Sequence, residues 1–539
     1  MAAILARLGV APDDVEAYLN PKLRDLLPDP MQLKDMDAAA ERVLAAVKQR
    51  EKIAVFADYD VDGGTSAALM IRWLRAVGHD ASLYVPDRIE EGYGPNAEAM
   101  AALSASHSLI ICVDCGTLGH EAFANAGADI IVLDHHLSGE TLPPAVAVVN
   151  PNRADEDGQL GHLAAATVVF LLLVELERRR RGTGKAVDLM ALLDLVALAT
   201  VADVAPLRGV NRALVRQGLA VMARRTRTGL VALSDIARLD KAPTTYHLGY
   251  VFGPRINAGG RIGQADLGAR LLTTDDPHEA TAIAAKLDEL NTERRETEAA
   301  VRAAALAFAD ERPAGAVAWA AGAGWHPGVV GIVASRLKEH SGRPSFVIGV
   351  ENGVGKGSGR SIPGVDLGSI VQRLVAEDLL MAGGGHKMAA GLTVAEDKLE
   401  AAMARLDELV ARQAPVLDGP KDMRIDAMLM PGGATPDLVD SLETAGPFGQ
   451  AAPSPRFALP GVRIGFAKPV GTDHLKLTLR GEDGATLDAI AFGAVPTPMG
   501  QALLSHGGAQ FHVAGRLDIN DWGGRRKAQL ILEDAAQSG

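Results

Sequence analysis

Residues 53–66 read IAVFADYDVDGGTS: five residues of apolar leaning, then Asp58, Asp60 and Asp62 at every second position, then a glycine pair. In an extended strand, residues two apart share a face, so the repeat aims three carboxylates at one place. A straight strand rises about 3.3 Å per residue and would hold Asp58 and Asp62 roughly 13 Å apart. Gly63 and Gly64 are therefore expected to let the chain curl after the strand and gather the acids. Outward from this stretch, short apolar runs alternate with helix-like ones. KIAVFAD (52–58), ASLYVPD (81–87), SLIICVD (108–114) and ADIIVLD (128–134) read as strands. TSAALMIRWLRAVG (65–78), PNAEAMAALSAS (95–106) and LGHEAFANAG (118–127) read as the helices between them. Such alternation with wholly apolar strands predicts an α/β fold, a parallel sheet covered on both faces.

Three of these strands run into aspartate, at Asp58, Asp114 and Asp134. Ligand sites of open parallel sheets lie beyond the carboxyl ends of the strands, which is where all three fall. IIVLDHHLSG (130–139) adds His135 and His136, and the helical DLMALLDLVALATVADVAP (188–206) offers Asp203 before a proline stop. Two like charges 4 Å apart repel by about 4 kcal/mol at an effective dielectric near 20. Packed carboxylates must therefore take up protons or hold cations. Carboxylate and imidazole ligands together suit Mn²⁺ or Mg²⁺ and would accept zinc, and two such ions about 3.5 to 4 Å apart can stabilise an in-line displacement at phosphorus. The pattern points to metal-dependent phosphoester hydrolysis. A lone aspartate at a strand end is ordinarily a helix cap or loop residue, and a lone histidine pair is ordinarily structural. Three such motifs on successive strands favour the site.

The bulk properties set the frame. A chain of 539 residues with ordinary charged and apolar fractions predicts three or four domains. A formal net charge of −13 argues against coating nucleic acid through overall charge, although a local basic channel remains compatible with it. The two cysteines, Cys112 and Cys115, rule out a disulfide framework and indicate a reducing compartment. Structural zinc at their Cys-x-x-Cys spacing would want a second pair, which the chain lacks. The first residues do not form a secretory signal, and the longest apolar window is shorter than a membrane span, so a cytoplasmic protein without a membrane partner is expected.

Further along, residues 160–275 look mainly helical and 275–311 form a long charged helical pattern. A second α/β unit follows, with GAVAWAAG (315–322), GVVGIVASRLKEHSG (328–342) and PSFVIGV (344–350) as strand, helix, strand. HLKLTLRGEDGATLDAIAF (474–492) and QFHVAGRLDINDWGGRRKAQLILED (510–534) read as hairpins of a small β-barrel. The expected domains are 1–275 for the catalytic sheet with a helical extension, 276–312 for a connecting helix, 313–415 for a substrate-binding α/β domain and 420–539 for the barrel.

DYDVDG, VDCG, DHH and ATVADV, in this order, resemble the four motifs of the DHH phosphoesterase superfamily. VPDRIEEGYG (85–94), FGPRINAGGRIG (252–263), WHPGVVGIVASRL (325–337), GSGRSIPGVDL (357–367) and GGGHKMAAG (383–391) resemble, more narrowly, the RecJ single-strand-specific exonucleases. The likeness runs from YLNP (18–21) to the terminal barrel, which is similar to the oligonucleotide-binding (OB) fold of that family, as the second α/β unit is to its DHHA1 domain. The resemblance implies 5′-to-3′ degradation of single-stranded DNA to mononucleotides with two divalent cations, Mn²⁺ or Mg²⁺, in recombination and repair. It further implies a monomer acting on a free 5′ end, with a single-strand-binding protein and a helicase as protein partners. Carried over by motif, Asp58, Asp60, Asp62, Asp114, His135, His136 and Asp203 match metal-binding positions. Asp134 is expected to buttress the histidines, since a ligating imidazole normally donates its other N–H to an acceptor. No covalent intermediate with the enzyme is expected.

An enzyme that recognises a strand end needs donors for phosphate, and the arginine fork meets phosphate oxygens in a bidentate way. The candidates are Arg88, Arg255, Arg261 and Arg360 with Ser361, all in glycine-rich settings. An arginine taken singly is more often a surface ion pair; the resemblance reverses that weighting. His386 is expected to contact the scissile phosphate from an exposed loop and so to be catalytic, with His326 nearby. In the barrel, Trp522 beside Arg525 and Arg526 could stack a base and hold phosphates, a solvated basic turn being the plain alternative. The chain departs from the family pattern at Ala57, at CGTLGH (115–120) and at FGQAAPSPRF (448–457), none of which removes a metal ligand. The resemblance also begins almost at Met1, without the upstream segment many relatives carry, which suggests a shortened chain or a late start codon. The rivals are a DHH phosphatase for a small substrate, which would be a shorter chain, and a replication scaffold without catalysis, which would have lost metal ligands.

Overall fold

A computed structural model describes residues 1–88, 90–312, 314–413, 422–521 and 525–538. The chain forms two compact units, one holding Pro30–Asp203 with Ala220–Gly419 and the other Met1–Asp29, Val204–Leu219 and Pro420–Gly539. The first contains two sheets. Strands β1 (Ile53–Ala57), β2 (Ala81–Tyr84), β3 (Leu109–Val113), β4 (Asp129–Leu133) and β5 (Ala147–Val149) are all parallel, in the order β2-β1-β3-β4-β5. Every residue of β1 and β3 is buried, as a central strand covered on both faces requires. Strand β5, from AVV (147–149), went unpredicted: three residues are too few to carry a periodic signal.

The opening expectation needs one correction. The aspartate repeat is not a strand that curls at Gly63: β1 ends at Ala57, and a helix already runs from Val61 to Ala76 with Asp60 as its N-cap. The Asp60 carboxylate accepts from Gly63 N at 3.1 Å, as an N-cap side chain does. The acids converge because the chain passes from strand to helix between them, so period-2 reasoning does not apply. Gly63 serves a different purpose from the one expected: a Cβ there would lie 2.3 Å from the Asp58 carbonyl oxygen, so only glycine lets the helix start this close to the strand end.

The 34-residue helix Pro277–Asp310 leads to the second sheet. Its strands are β6 (Ala318–Ala323), β7 (Ser345–Glu351), β8 (Val354–Arg360), β9 (Ala382–His386) and β10 (Ala389–Ala395), in the order β6-β7-β8-β10-β9, parallel only between β6 and β7. GGGHKMAAG is thus a hairpin, not the loop expected from its glycines.

In the other unit, β11 (Ala427–Met428) pairs with β12 (Phe457–Val470), which continues through β13 (His474–Arg480), β14 (Thr486–Ala491), β16 (Lys527–Gln537) and β15 (Gln510–Asn520). Strand β12 pairs with both β13 and β15, which closes the barrel. Its inward residues, among them Leu459, Leu475, Leu477, Leu487, Phe511, Val513 and Leu530, form one core. Among the described residues no helix is long and apolar enough to cross a membrane.

Candidate metal centre

Asp58, Asp114 and Asp134 each lie one residue beyond their strand, and their amides still continue the sheet, donating to Val113 O, Leu133 O and Val149 O. Their side chains therefore leave a rigid edge. Asp114 has φ of +59°, a left-handed conformation that aspartate tolerates better than most residues but that still costs energy; it turns the carboxylate into the rim. Asp62, in the first turn of its helix, accepts from Ala165 N at 2.7 Å and Ala166 N at 2.8 Å, the start of helix Ala165–Arg179, whose N-terminal dipole favours a negative charge.

His135 is central. Its Nε2 lies 3.3 Å from Asp114 Oδ1 and 3.7 Å from Asp62 Oδ2, and its Nδ1 lies 3.8 Å from Asp203 Oδ2. The seven acids and histidines expected as ligands fall into three overlapping groups whose donor atoms lie within 4.8 Å of one another: Asp114, His135 and His136; Asp62, His135 and Asp203; Asp58, Asp60 and Asp114. Asp114 and His135 each belong to two groups. Burial, with the repulsion of neighbouring acids, raises the Asp58 and Asp114 carboxyls well above the ordinary range, and burial with Asp62 and Asp60 pushes Asp203 up to about 8. Asp58 Oδ1 and Asp114 Oδ1 are buried without a hydrogen-bond partner. Orphaned carboxylate oxygens in a mixed carboxylate and imidazole set are what divalent cations would satisfy.

Asp134 supports this set without belonging to any of the three groups. It accepts from His136 Nδ1 at 2.8 Å, from Thr117 Oγ1 at 2.6 Å and from the amides of Thr117, His135 and His136. Burial alone would raise its pKa, but the bond and charge of His136 outweigh it and hold the carboxyl below its usual range, while Asp134 lifts His136 to about 9 against burial. Sequence reasoning missed the polar residues that complete this support. Tyr93 donates to Asp114 O at 3.2 Å and lies 3.0 Å from His136 Nδ1. Asn150 donates to Thr117 Oγ1 and His136 O, and Asn152 to His135 O. The Asn-Pro-Asn after β5 was the available signal, lost with the strand.

The arginines separate. Arg88 lies over the Tyr59 ring at 5.3 Å, close enough to Asp58 to temper its rise. Burial and the Arg88 charge depress both Arg261, to about 10, and Arg360, so these three arginines lie near one another. Arg261 also donates to Gly328 O at 3.0 Å, tying it to the WHPG turn, where His326 caps the helix Pro327–Ser341 by accepting from Gly328 N. Arg360 pairs across the sheet with Ala389, and Ala389 with His386, so His386 is exposed on the same row two strands away. Arg255 does not join them: it is bound to Asp288 at 2.8 Å and to Val251 O. Ser361 is buried and donates to Val365 O at 2.8 Å, so its hydroxyl holds a turn. In the barrel, Arg525 is exposed, Arg526 is paired with Asp440, and Trp522 lies outside the described residues.

Family models match along the chain: the DHH family, N-terminal domain, at residues 52–200, the DHHA1 domain at 314–412 and the RecJ OB domain at 425–534. The single-stranded-DNA-specific exonuclease RecJ of Salmonella typhimurium is 37% identical over 93% of this chain and 90% of its own length; that of Bacillus subtilis is 34% identical over 100% and 68%. The crystal structure of RecJ in complex with Mn²⁺ from Thermus thermophilus superposes with a TM-score of 0.80 at 32% identity, covering all of this chain and 78% of that one. A second, of exonuclease RecJ bound to manganese, gives 0.62 at 37% identity, covering 72% and 96%. Parallel sheet, acid and histidine rim, and attached DHHA1 domain define a phosphoesterase of the DHH class. Within that class, the chain belongs to the RecJ family of exonucleases.

Proposed function

We propose that this chain hydrolyses single-stranded DNA from a free 5′ end to mononucleotides, using two divalent cations, Mn²⁺ or Mg²⁺, in recombination and repair. The observation that carries the reading is the convergence of seven acids and histidines on one sheet edge, with Asp114 and His135 each shared between two groups of ligand atoms. Asp58, Asp60, Asp62, Asp114, His135, His136 and Asp203 would hold the cations. When bound, such ions supply Lewis acidity toward phosphate oxygens and lower the pKa of water. Asp134 orients His136 and holds its proton on the ring nitrogen it faces, and the Tyr93 hydroxyl supports the His136 ring and the Asp114 backbone. Arg88, Arg261 and Arg360, all half-buried, would neutralise phosphate, and partial burial would strengthen that attraction. His386, on the same sheet row as Arg360, is assigned to the scissile phosphate.

The substrate sets the remaining assignments. Unpaired 5′ ends arise when duplex is unwound, so a helicase and a single-strand-binding protein are the protein partners expected of a cytoplasmic monomer. The test is incubation of 5′- and 3′-labelled single- and double-stranded oligomers with each cation. Mononucleotide release from the 5′ label of the single strand alone is the expected result; shortening from the 3′ end, or equal cleavage of duplex, refutes the reading.

A further inference from the structure

Tyr246 and Tyr250 are 62% and 73% exposed, yet their rings stack on each other at 5.2 Å with planes 27° apart. Tyr246 also meets the His247 ring edge-on. The chain has only six tyrosines, and an exposed stacked pair is not core. It sits on the segment Thr245–His247, Leu248–Phe252, Gly253–Ile262, whose middle part is a π-turn, a distortion frequent at functional sites. The other side of the segment is pressed onto the metal centre's own framework. A Cβ at Gly249 would touch Val201, one at Gly253 would touch Ala202, and one at Gly260 would lie 2.8 Å from Tyr59 O. Val201 and Ala202 end the helix Leu193–Ala202, which delivers Asp203; Tyr59 lies between Asp58 and Asp60. The tyrosine pair is therefore anchored within one turn of residues adjoining the cation ligands, on the solvent side.

Flat aromatic faces stack on bases of any sequence, and here the two rings already lie nearly parallel, leaving an outer face open. We infer that Tyr246 and Tyr250 form a stacking platform for an unpaired nucleobase of the substrate strand, beside the metal centre. This rests on the single-strand reading above. The occupant follows from the site next door, since a polymer threaded into the centre must pass its neighbouring nucleotides over the adjoining surface.

The test uses the full chain carrying Asp114→Asn, so that binding is measured without cleavage. Fluorescence anisotropy with 5′-phosphorylated oligothymidylate is expected to show about tenfold weaker binding for Tyr246→Ala with Tyr250→Ala, with affinity retained in the matching Phe variants. An abasic nucleotide scanned along the strand is expected to weaken the Tyr protein at one position and to have no further effect there in the Ala variant. Unchanged affinity of the Ala variant, or an abasic penalty undiminished in it, overturns the platform and leaves the pair to a protein partner. If the unsubstituted enzyme fails to degrade single strands, the single-strand reading itself falls, a result visible before any tyrosine is altered.

Discussion

Gly63→Ala probes the strand-to-helix junction on which the metal centre depends. The added Cβ would lie 2.3, 2.7 and 2.8 Å from the O, C and N atoms of Asp58, whereas ordinary contact begins at 3.4 Å. All three are main-chain atoms, so no rotamer change relieves the clash. Asp58 must instead move by about 1 Å relative to the helix that carries Asp60 and Asp62. Overpacking of this kind costs about 1–3 kcal/mol, outweighing the gain of up to about 1 kcal/mol from replacing a helical glycine by alanine. A 1 Å misplacement of positioned groups costs about a hundredfold in rate. Single-turnover hydrolysis of 5′-labelled single strands at saturating Mn²⁺ should therefore fall about a hundredfold in Gly63→Ala, and urea unfolding should report the stability loss. Strand affinity should hold, since Arg261 and Arg360 sit on other elements. Gly64→Ala is the control: its Cβ would meet Ala269 N at 3.4 Å, an ordinary contact, so its rate should stay within about threefold of the parent. A fully active Gly63→Ala, or an equally damaged Gly64→Ala, would refute the steric account.

Asp114→Ala or His135→Ala should abolish Mn²⁺-dependent hydrolysis and leave the circular dichroism spectrum unchanged; retained turnover in either would remove that residue from the centre. Mn²⁺ at a hundred times its dissociation constant should stabilise the protein by about 2.7 kcal/mol per site, raising the melting temperature measured by calorimetry. A chelator should reverse that shift, and Asp114→Ala should be insensitive to the ion. Arg360→Ala should weaken binding of 5′-phosphorylated single strands measured by anisotropy, and unchanged affinity would take it out of the groove. Arg227→Ala should cost about 3–5 kcal/mol in urea unfolding, because Asp194, 1% exposed and bound by two 2.6 Å contacts to that guanidinium, would be left buried without its partner; replacing both residues by apolar ones should cost less.

Most of the site was legible because its residues occur in short local patterns. An apolar run ending in aspartate marks a strand and its carboxyl end together, and three such runs announce one edge. The support around it was not legible: Tyr93, Asn150 and Asn152 gain meaning only when distant segments meet. The arginines divide for the same reason. Arg255 and Arg261 share one glycine-rich motif, yet the first faces Asp288 on the long helix and the second donates to Gly328 O beside His326. Ser361 follows Arg360 directly but turns into the protein.

The sequence by itself determined the parallel sheet, the barrel and the crowding of acids and histidines at one sheet edge, since each follows from hydrophobic period, turn chemistry or the position of aspartates at strand ends. Only tertiary structure decided how Asp58, Asp60 and Asp62 converge, which arginines remain near them and where the exposed tyrosines stand. Those outcomes depend on close backbone approaches, such as Gly63 on Asp58 and Gly260 on Tyr59, and on partners up to hundreds of residues away. Steric fit between remote segments leaves no periodic trace in the chain.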